Sequence, residues 1–212
     1  MKKLSLYLFL ISALIISSCS SNTNKTENEK DVKSSTESSV KYTVNIEKSL
    51  LKWKGSKVAS FHEGTLLLKS GSLNVENDKI ASGSFEIDMA SIVNLDLTEA
   101  EWNQKLVGHL KSEDFFNVAN FPTAKFEITS IEQIDGKQMA YGNLTIKGIT
   151  KNVGFEIKTT LNADNLIVKA EKFTIDRTEW EIKYNSGKFF EDLKDNLILD
   201  EIEISFEIYA NK

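Results

Sequence analysis

Few residues in this chain have the type and spacing to do chemistry, and the first is its only thiol, Cys19. Lys2 and Lys3 open the chain, Leu4 to Ile16 form an apolar run, and Ser17-Ser18 place small residues directly before the cysteine. That order predicts a lipoprotein-type secretory signal over residues 1–18, whose removal leaves Cys19 as an N-terminus acylated on sulfur and amine. The apolar run is shorter than the roughly 20 residues a spanning helix needs, which weakens the alternative of a retained anchor. A single cysteine also excludes an intramolecular disulfide and a multi-cysteine metal site.

Two histidines, His62 and His109, are the other candidates for metal or proton chemistry. Neither belongs to an HxH or HExxH spacing, so no metal site is expected. His62 is expected at the mouth of the domain, in reach of a ligand's polar head, and His109 where a helix C-terminus offers free carbonyls. Asp176-Arg177 reads as a carboxylate–guanidinium pair pinning a corner. There is no GxSxG, no glycine-rich phosphate loop and no acid/base pair picked out by spacing. Neither enzymatic activity nor a cofactor is expected. Asn143-Leu144-Thr145 matches a glycosylation sequon but falls in mid-strand, where no such role is expected.

These residues need a scaffold, and the composition describes one. Hydrophobic residues make up 41% and charged residues 27% of the 212, which suits one water-soluble globular domain. A net charge of -5 argues against nucleic acid as a partner. Residues 19–40 are almost all Ser, Asn, Thr, Lys, Glu and Asp, and read as a disordered, lipid-anchored tether. Its uncharged start, Ser20-Ser21-Asn22-Thr23-Asn24, favours the periplasmic side of a bacterial envelope over surface display.

Beyond Tyr42 the apolar spacing changes to a period of two, the mark of strands with one dry and one wet face. Ile202, Ile204, Phe206, Ile208 and Ala210 give the longest run; Val153 to Leu161 and Phe85 to Met89 repeat it. Turn signals separate them at Gly71, Asn77-Asp78, Asp135-Gly136, Gly148 and 162–165. One segment breaks the rule. Thr98-Glu99-Ala100-Glu101 has the form of a capping box, and Trp102, Leu106 and Leu110 follow at helical spacing. About eight antiparallel strands with one short inserted helix cannot cover their apolar faces except by folding over or closing. An eight-strand barrel over residues 41–212, all-β in class, is the expected fold.

Six motifs in order carry a resemblance: His62-Glu63-Gly64-Thr65, Gly83 to Ile92, His109 to Phe116, Phe121 to Phe126, Gly142 to Thr150, and Asp176 to Trp180. In this sequence they resemble the YceI-like family of lipid- or polyisoprenoid-binding proteins. The stretch 180–193 departs from the simplest family pattern and has the form of a subgroup. The resemblance implies a lipocalin-like barrel that takes an apolar chain and needs no cofactor.

The inward positions expected to meet such a chain are Trp53, Phe85, Ile87, Phe126, Leu144, Ile146, Phe155, Ile157, Trp180, Ile204 and Phe206. Trp102, Leu106, Phe115 and Phe116 are expected beside His62 at one mouth. The resulting expectation is an envelope lipoprotein, monomer or homodimer, that binds an isoprenoid, quinone or fatty-acid type of lipid. The alternative is a filled barrel acting as a non-catalytic interaction or stress-related module.

Overall fold

The computed structural model describes residues 26–212. The predicted signal and Cys19 lie outside the described residues. The strands are β1 (Glu27–Asn28), β2 (Val40–Val44), β3 (Leu50–Lys57), β4 (Phe61–Glu76), β5 (Lys79–Asn94), β6 (Thr123–Ile134), β7 (Lys137–Ile146), β8 (Ile149–Leu161), β9 (Asn165–Asp176) and β10 (Ile198–Asn211). A helix, α1 (Ala100–Lys111), separates β5 from β6.

From β4 to β9 each strand pairs antiparallel with the next. β9 pairs with β10, and β10 returns to β4 through β2 and β3. β2 and β3 share one stave: β2 meets Ala210 and Asn211 of β10, while β3 meets the stretch Ile198 to Glu207. The result is a closed barrel of eight staves, as the alternation predicted. Each stave is paired on both sides over part of its length; β8 meets β9 only over Lys158 to Leu161, and β1 covers its edge at Lys151 and Asn152. At the jog between β2 and β3 a side chain stands in for the ladder. The Ser49 hydroxyl accepts the Tyr209 N–H at 3.0 Å and donates to the Asn45 carbonyl at 2.7 Å.

Three hairpins turn on two residues with positive φ: Asn77-Asp78, Asp135-Gly136 and Lys147-Gly148. Two consecutive left-handed residues give the turn whose twist matches the flanking strands. Gly71, read as a turn, instead lies inside β4, where a Cβ would come within 2.8 Å of the Phe85 ring and 2.9 Å of Val44. The missing side chain serves packing there.

The helix falls where expected, but its start differs. Glu99 is the N-cap and makes no side-chain capping bond. The loop before it is held from within the helix, by the Asn103 amide donating to the Asn94 and Leu97 carbonyls, each at 3.0 Å.

A second correction concerns the tether. Its described part, residues 26–39, lies against the barrel. β1 pairs with Lys151 and Asn152 of β8, the Lys33 N–H reaches the Ile128 carbonyl at 3.2 Å, and Thr36 and Ser38 donate to Glu76. Low apolar content predicts disorder, yet this strap needs little apolar burial because its main chain is hydrogen-bonded to β8 and β6.

The corner at Asp176-Arg177 is pinned, though not by the expected pairing. The buried Arg177 guanidinium donates to the carbonyls of Ile182 at 2.8 Å, Ile198 at 3.0 Å and Leu199 at 3.2 Å, and lies 3.4 Å from Asp200. Asp176 instead accepts from the Thr178 N–H and hydroxyl and from Lys188. The guanidinium fans its rigid donors over three loop carbonyls and so ties the 182–199 loop to the end of β9.

Candidate functional site

Alternation along the staves turns one residue in two toward the barrel axis, and the inward set is almost wholly aliphatic or phenylalanine. Five rings form a chain through the interior. Phe155 stacks on Phe173 at 4.2 Å between centroids, Phe206 meets both edge-on, and Phe126 links Phe155 to Phe85. Rings of fixed shape in a tapering space leave gaps that flexible side chains would close.

Two cavities occupy those gaps. One, of about 90 Å³, lies among the rings, with Leu68, Leu73 and Ile128 on its other walls. The second, of about 130 Å³, lies nearer the helix, bounded by Leu66, Met89, Leu110, Phe115, Phe116 and Ile202. Leu51, Ile87, Leu144 and Ile204 border both, so the two are neighbours along one lumen. Among the described residues no polar atom faces either space, which makes the lumen dry; Arg177 borders the second through its methylene stem.

Most of the predicted residues meet here. Phe85, Ile87, Phe126, Leu144, Phe155, Ile157, Ile204 and Phe206 line the first cavity; Trp53, Ile146, Phe115 and Phe116 line the second. Four do not. Trp180 is fully buried with its indole N–H on the Leu144 carbonyl at 3.1 Å, so it packs behind the wall. Trp102 is 56% exposed and turned outward from α1, and Leu106 and His62 border outer clefts with His109. For Trp102 and Leu106, position around the helix decides which side they face. Phe173 and Ile175, inward on β9 by the same alternation, line one cavity each.

Trp53 stands at the boundary. It packs over Gly64, where a Cβ would lie 2.8 Å from the indole ring, and it borders the inner cavity and two surface clefts. Its N–H is buried and has no acceptor among the described residues. A buried donor without a partner is uncommon and suits a ligand oxygen.

The polar groups at this end are already engaged. His62 Nδ1 lies 2.8 Å from Asp96, which also accepts the Glu63 N–H at 2.8 Å and the Asn94 amide. Burial alone would raise the Asp96 carboxyl, but these donors outweigh it and hold it below its ordinary value. His109 pairs with Asp114 at 3.0 Å and sits edge-on to Phe115 and Tyr184. The C-terminus it was expected to close is closed by Ser112, whose hydroxyl and N–H both reach the His109 carbonyl. Among the described residues no cluster of His, Cys, Asp and Glu has the geometry to hold a metal.

Comparison with known proteins agrees with this architecture. The profile of the YceI-like domain matches residues 17–210. A UPF0312 protein of Photorhabdus laumondii is 32% identical over 90 residues, 42% of this chain and 44% of that one. One of Shewanella denitrificans is 32% identical over 101 residues, covering 47% and 50%. The alignments thus span about half the length of these curated relatives. Among solved structures, Burkholderia cenocepacia BcnA superposes with a TM-score of 0.61 at 24% identity, over 79% of this chain and 99% of that one. A polyisoprenoid binding domain from Saccharophagus degradans superposes with a TM-score of 0.58 at 12% identity, over 80% and 97%.

Proposed function

The chain belongs to the YceI-like family, and from that premise we propose that it is a lipoprotein of the bacterial envelope whose barrel binds and carries an apolar lipid chain. The observation that carries this reading is the dry lumen beside an unpartnered indole donor. A lumen without polar atoms favours hydrocarbon and penalises any polar group by several kcal/mol of lost hydration, about 2–7 by transfer scales. The Trp53 N–H is buried beside the lumen and would meet a ligand oxygen once the indole turns, which fits a ligand with a single oxygen-bearing head, as in an isoprenoid alcohol, quinone or fatty acid. Similarity to the polyisoprenoid binding domain supports the same class. An aliphatic and aromatic lining supports binding as its use.

The lipid anchor on Cys19 and the periplasmic location belong to this proposal and rest on the leader sequence.

One observation favours a second reading. Each cavity is smaller than the roughly 300–1,000 Å³ of typical ligand pockets. A long chain therefore enters only as rings such as Phe155 and Phe206 turn aside; if they never do, the barrel is a filled interaction module. Native mass spectrometry of gently purified protein, followed by organic extraction, decides between them. The carrier reading expects a co-purifying apolar lipid, or stoichiometric uptake of added isoprenoid alcohol. Protein that stays at its bare mass through both treatments supports the filled barrel.

A further inference from the structure

All four exposed Phe and Trp side chains of the described residues, Phe61, Trp102, Phe189 and Phe190, lie at the same end of the barrel. That end is built from the β3–β4 hairpin, α1 and the 181–197 loop, which meet around a cleft shared by Phe61, Leu106, Tyr184 and Asn185. Val58, 69% exposed, tips the hairpin. Three of the rings each carry a lysine: Lys54 sits 4.3 Å from the Phe61 centroid, Lys105 4.6 Å from Trp102, and Lys183 4.8 Å from Phe189. The larger of the two cavities is lined by Leu110, Phe115 and Phe116, which sets it toward the same end. At the opposite end the hairpin tips carry no exposed ring.

From this we propose that the helix end of the barrel is a membrane-docking face, whose rings insert into the headgroup layer of the bilayer that holds Cys19, with the lumen opening toward the lipid. The proposal rests on the reading of Cys19 as the anchored residue. Amphipathic rings with lysine stems beside them suit the bilayer interface, where the ring lies among the acyl–headgroup boundary and the ammonium reaches back to phosphate. The leash permits this placement. From Cys19 to Thr26 there are seven residue steps, at most about 25 Å when drawn out. β1 runs antiparallel to β8 with Glu27 opposite Asn152, so the chain before Thr26 sets out away from the helix end; Asn152 is three residues or about 10 Å from the start of β8, which a leash that doubles back still spans.

Charge does not drive this docking. The rim lysines are balanced by neighbours such as Glu101 and Glu181, and the whole chain is acidic. The contact is therefore made by rings and is insensitive to salt.

The test uses the full-length acylated protein in phosphatidylethanolamine/phosphatidylglycerol vesicles whose acyl chains carry bromine, a contact quencher of indole. Expected is a quenched emission component that Trp102→Phe lacks, that survives molar salt, and that drops at least threefold when Phe61, Phe189 and Phe190 are all changed to Ser. These sites are exposed, so the variant keeps its fold. Quenching that is absent, or equal in Trp102→Phe, overturns the docking face. So does a Trp102 blue shift that grows with protein concentration without vesicles, which assigns the rim to a second copy. The mass of the N-terminal peptide separates the two layers: an unacylated Cys19 overturns the anchor reading, whereas an acylated protein with unquenched Trp102 overturns docking alone.

Discussion

Asn143 and Asn152 face each other across β7 and β8, and the Asn152 amide donates to the Asn143 side-chain oxygen at 3.0 Å. The pair is buried because the strap lies over it. Asn143 accepts the Lys30 N–H at 3.0 Å and returns its amide to the Lys30 carbonyl at 2.6 Å, while Asn152 also reaches Thr129 at 3.0 Å. One asparagine thus acts as a main-chain segment for a strand that is not there.

Asn143→Ala removes that template, releasing the exposed Lys30 main chain to water and taking an acceptor from the buried Asn152 amide. An expected loss of about 1–3 kcal/mol follows from the cost of orphaning a buried donor, read by urea unfolding. Limited proteolysis is expected to cut first within residues 26–39. A variant as protease-resistant and as stable as the parent would show that the strap is held elsewhere.

Arg177→Ala withdraws a guanidinium from three carbonyls and from Asp200 at once. Breaking a buried charged cluster from one side costs about 3–5 kcal/mol. Thermal unfolding is the measurement, with hydrogen exchange expected to rise across the 182–199 loop before the barrel staves. Uniform loosening would point to a core effect instead.

Ser49→Ala leaves the Tyr209 N–H without its acceptor at the split stave. About 1–3 kcal/mol of destabilisation is expected, with faster exchange at Tyr209 and its neighbours on β10. Unchanged exchange there would mean the stave closes by another route.

Acid stability follows from Asp176. Burial raises its carboxyl, but Lys188 and the Thr178 hydroxyl and N–H outweigh that and hold it below its ordinary 3.8. A carboxyl depressed on folding contributes stability that is present above the unfolded value and is lost as pH falls through the folded one. Stability is therefore expected to decline below about pH 4, and Asp176→Asn to flatten that decline while lowering stability at neutral pH. Parallel acid titrations of the two proteins would contradict this assignment.

Ile87 borders both cavities, and Ile87→Phe fills the space where they meet. Uptake of an apolar fluorescent probe is expected to fall tenfold or more, with stability changed by no more than about 1–3 kcal/mol from overpacking. Undiminished uptake would place the ligand outside the lumen. Trp53→Phe keeps the ring and deletes the donor; it is expected to weaken an alcohol-headed ligand by about 0.5–1.5 kcal/mol and leave a pure hydrocarbon unaffected.

The barrel was legible because a wall with one dry face must alternate, and β10 shows this in Ile202 to Ala210 without a break. The lumen residues on β5, β7 and β8 followed from the same rule. The strap was not legible. Its order comes from main-chain bonds and from Asn143 and Asn152, polar residues that resemble any wet-face position, the first inside a sequon pattern and the second on the outer face of an alternating strand. Trp180 and Trp102 were misplaced for a related reason: an aromatic residue announces burial or contact, while the side of the wall it occupies depends on the local path of the chain. Thr98 looked like a cap, yet the Asn103 amide binds the Asn94 and Leu97 carbonyls from inside the helix.

Tyr42, Leu73, Val75, Ile80 and Leu166 are all buried at the end of the barrel away from the helix. For the apolar chain proposed as ligand, a packed end would act as a ruler. An inserted hydrocarbon advances until it strikes that floor, and its length then fixes how far the head protrudes from the rim. Chains of one size would present their heads at the level of Trp53, shorter ones would leave a dry void above the floor, and longer ones would hold their heads out in the membrane. Discrimination by length needs no polar reader in the lumen, which is the kind of selectivity that a wall of Ile, Leu, Val and Phe is able to supply.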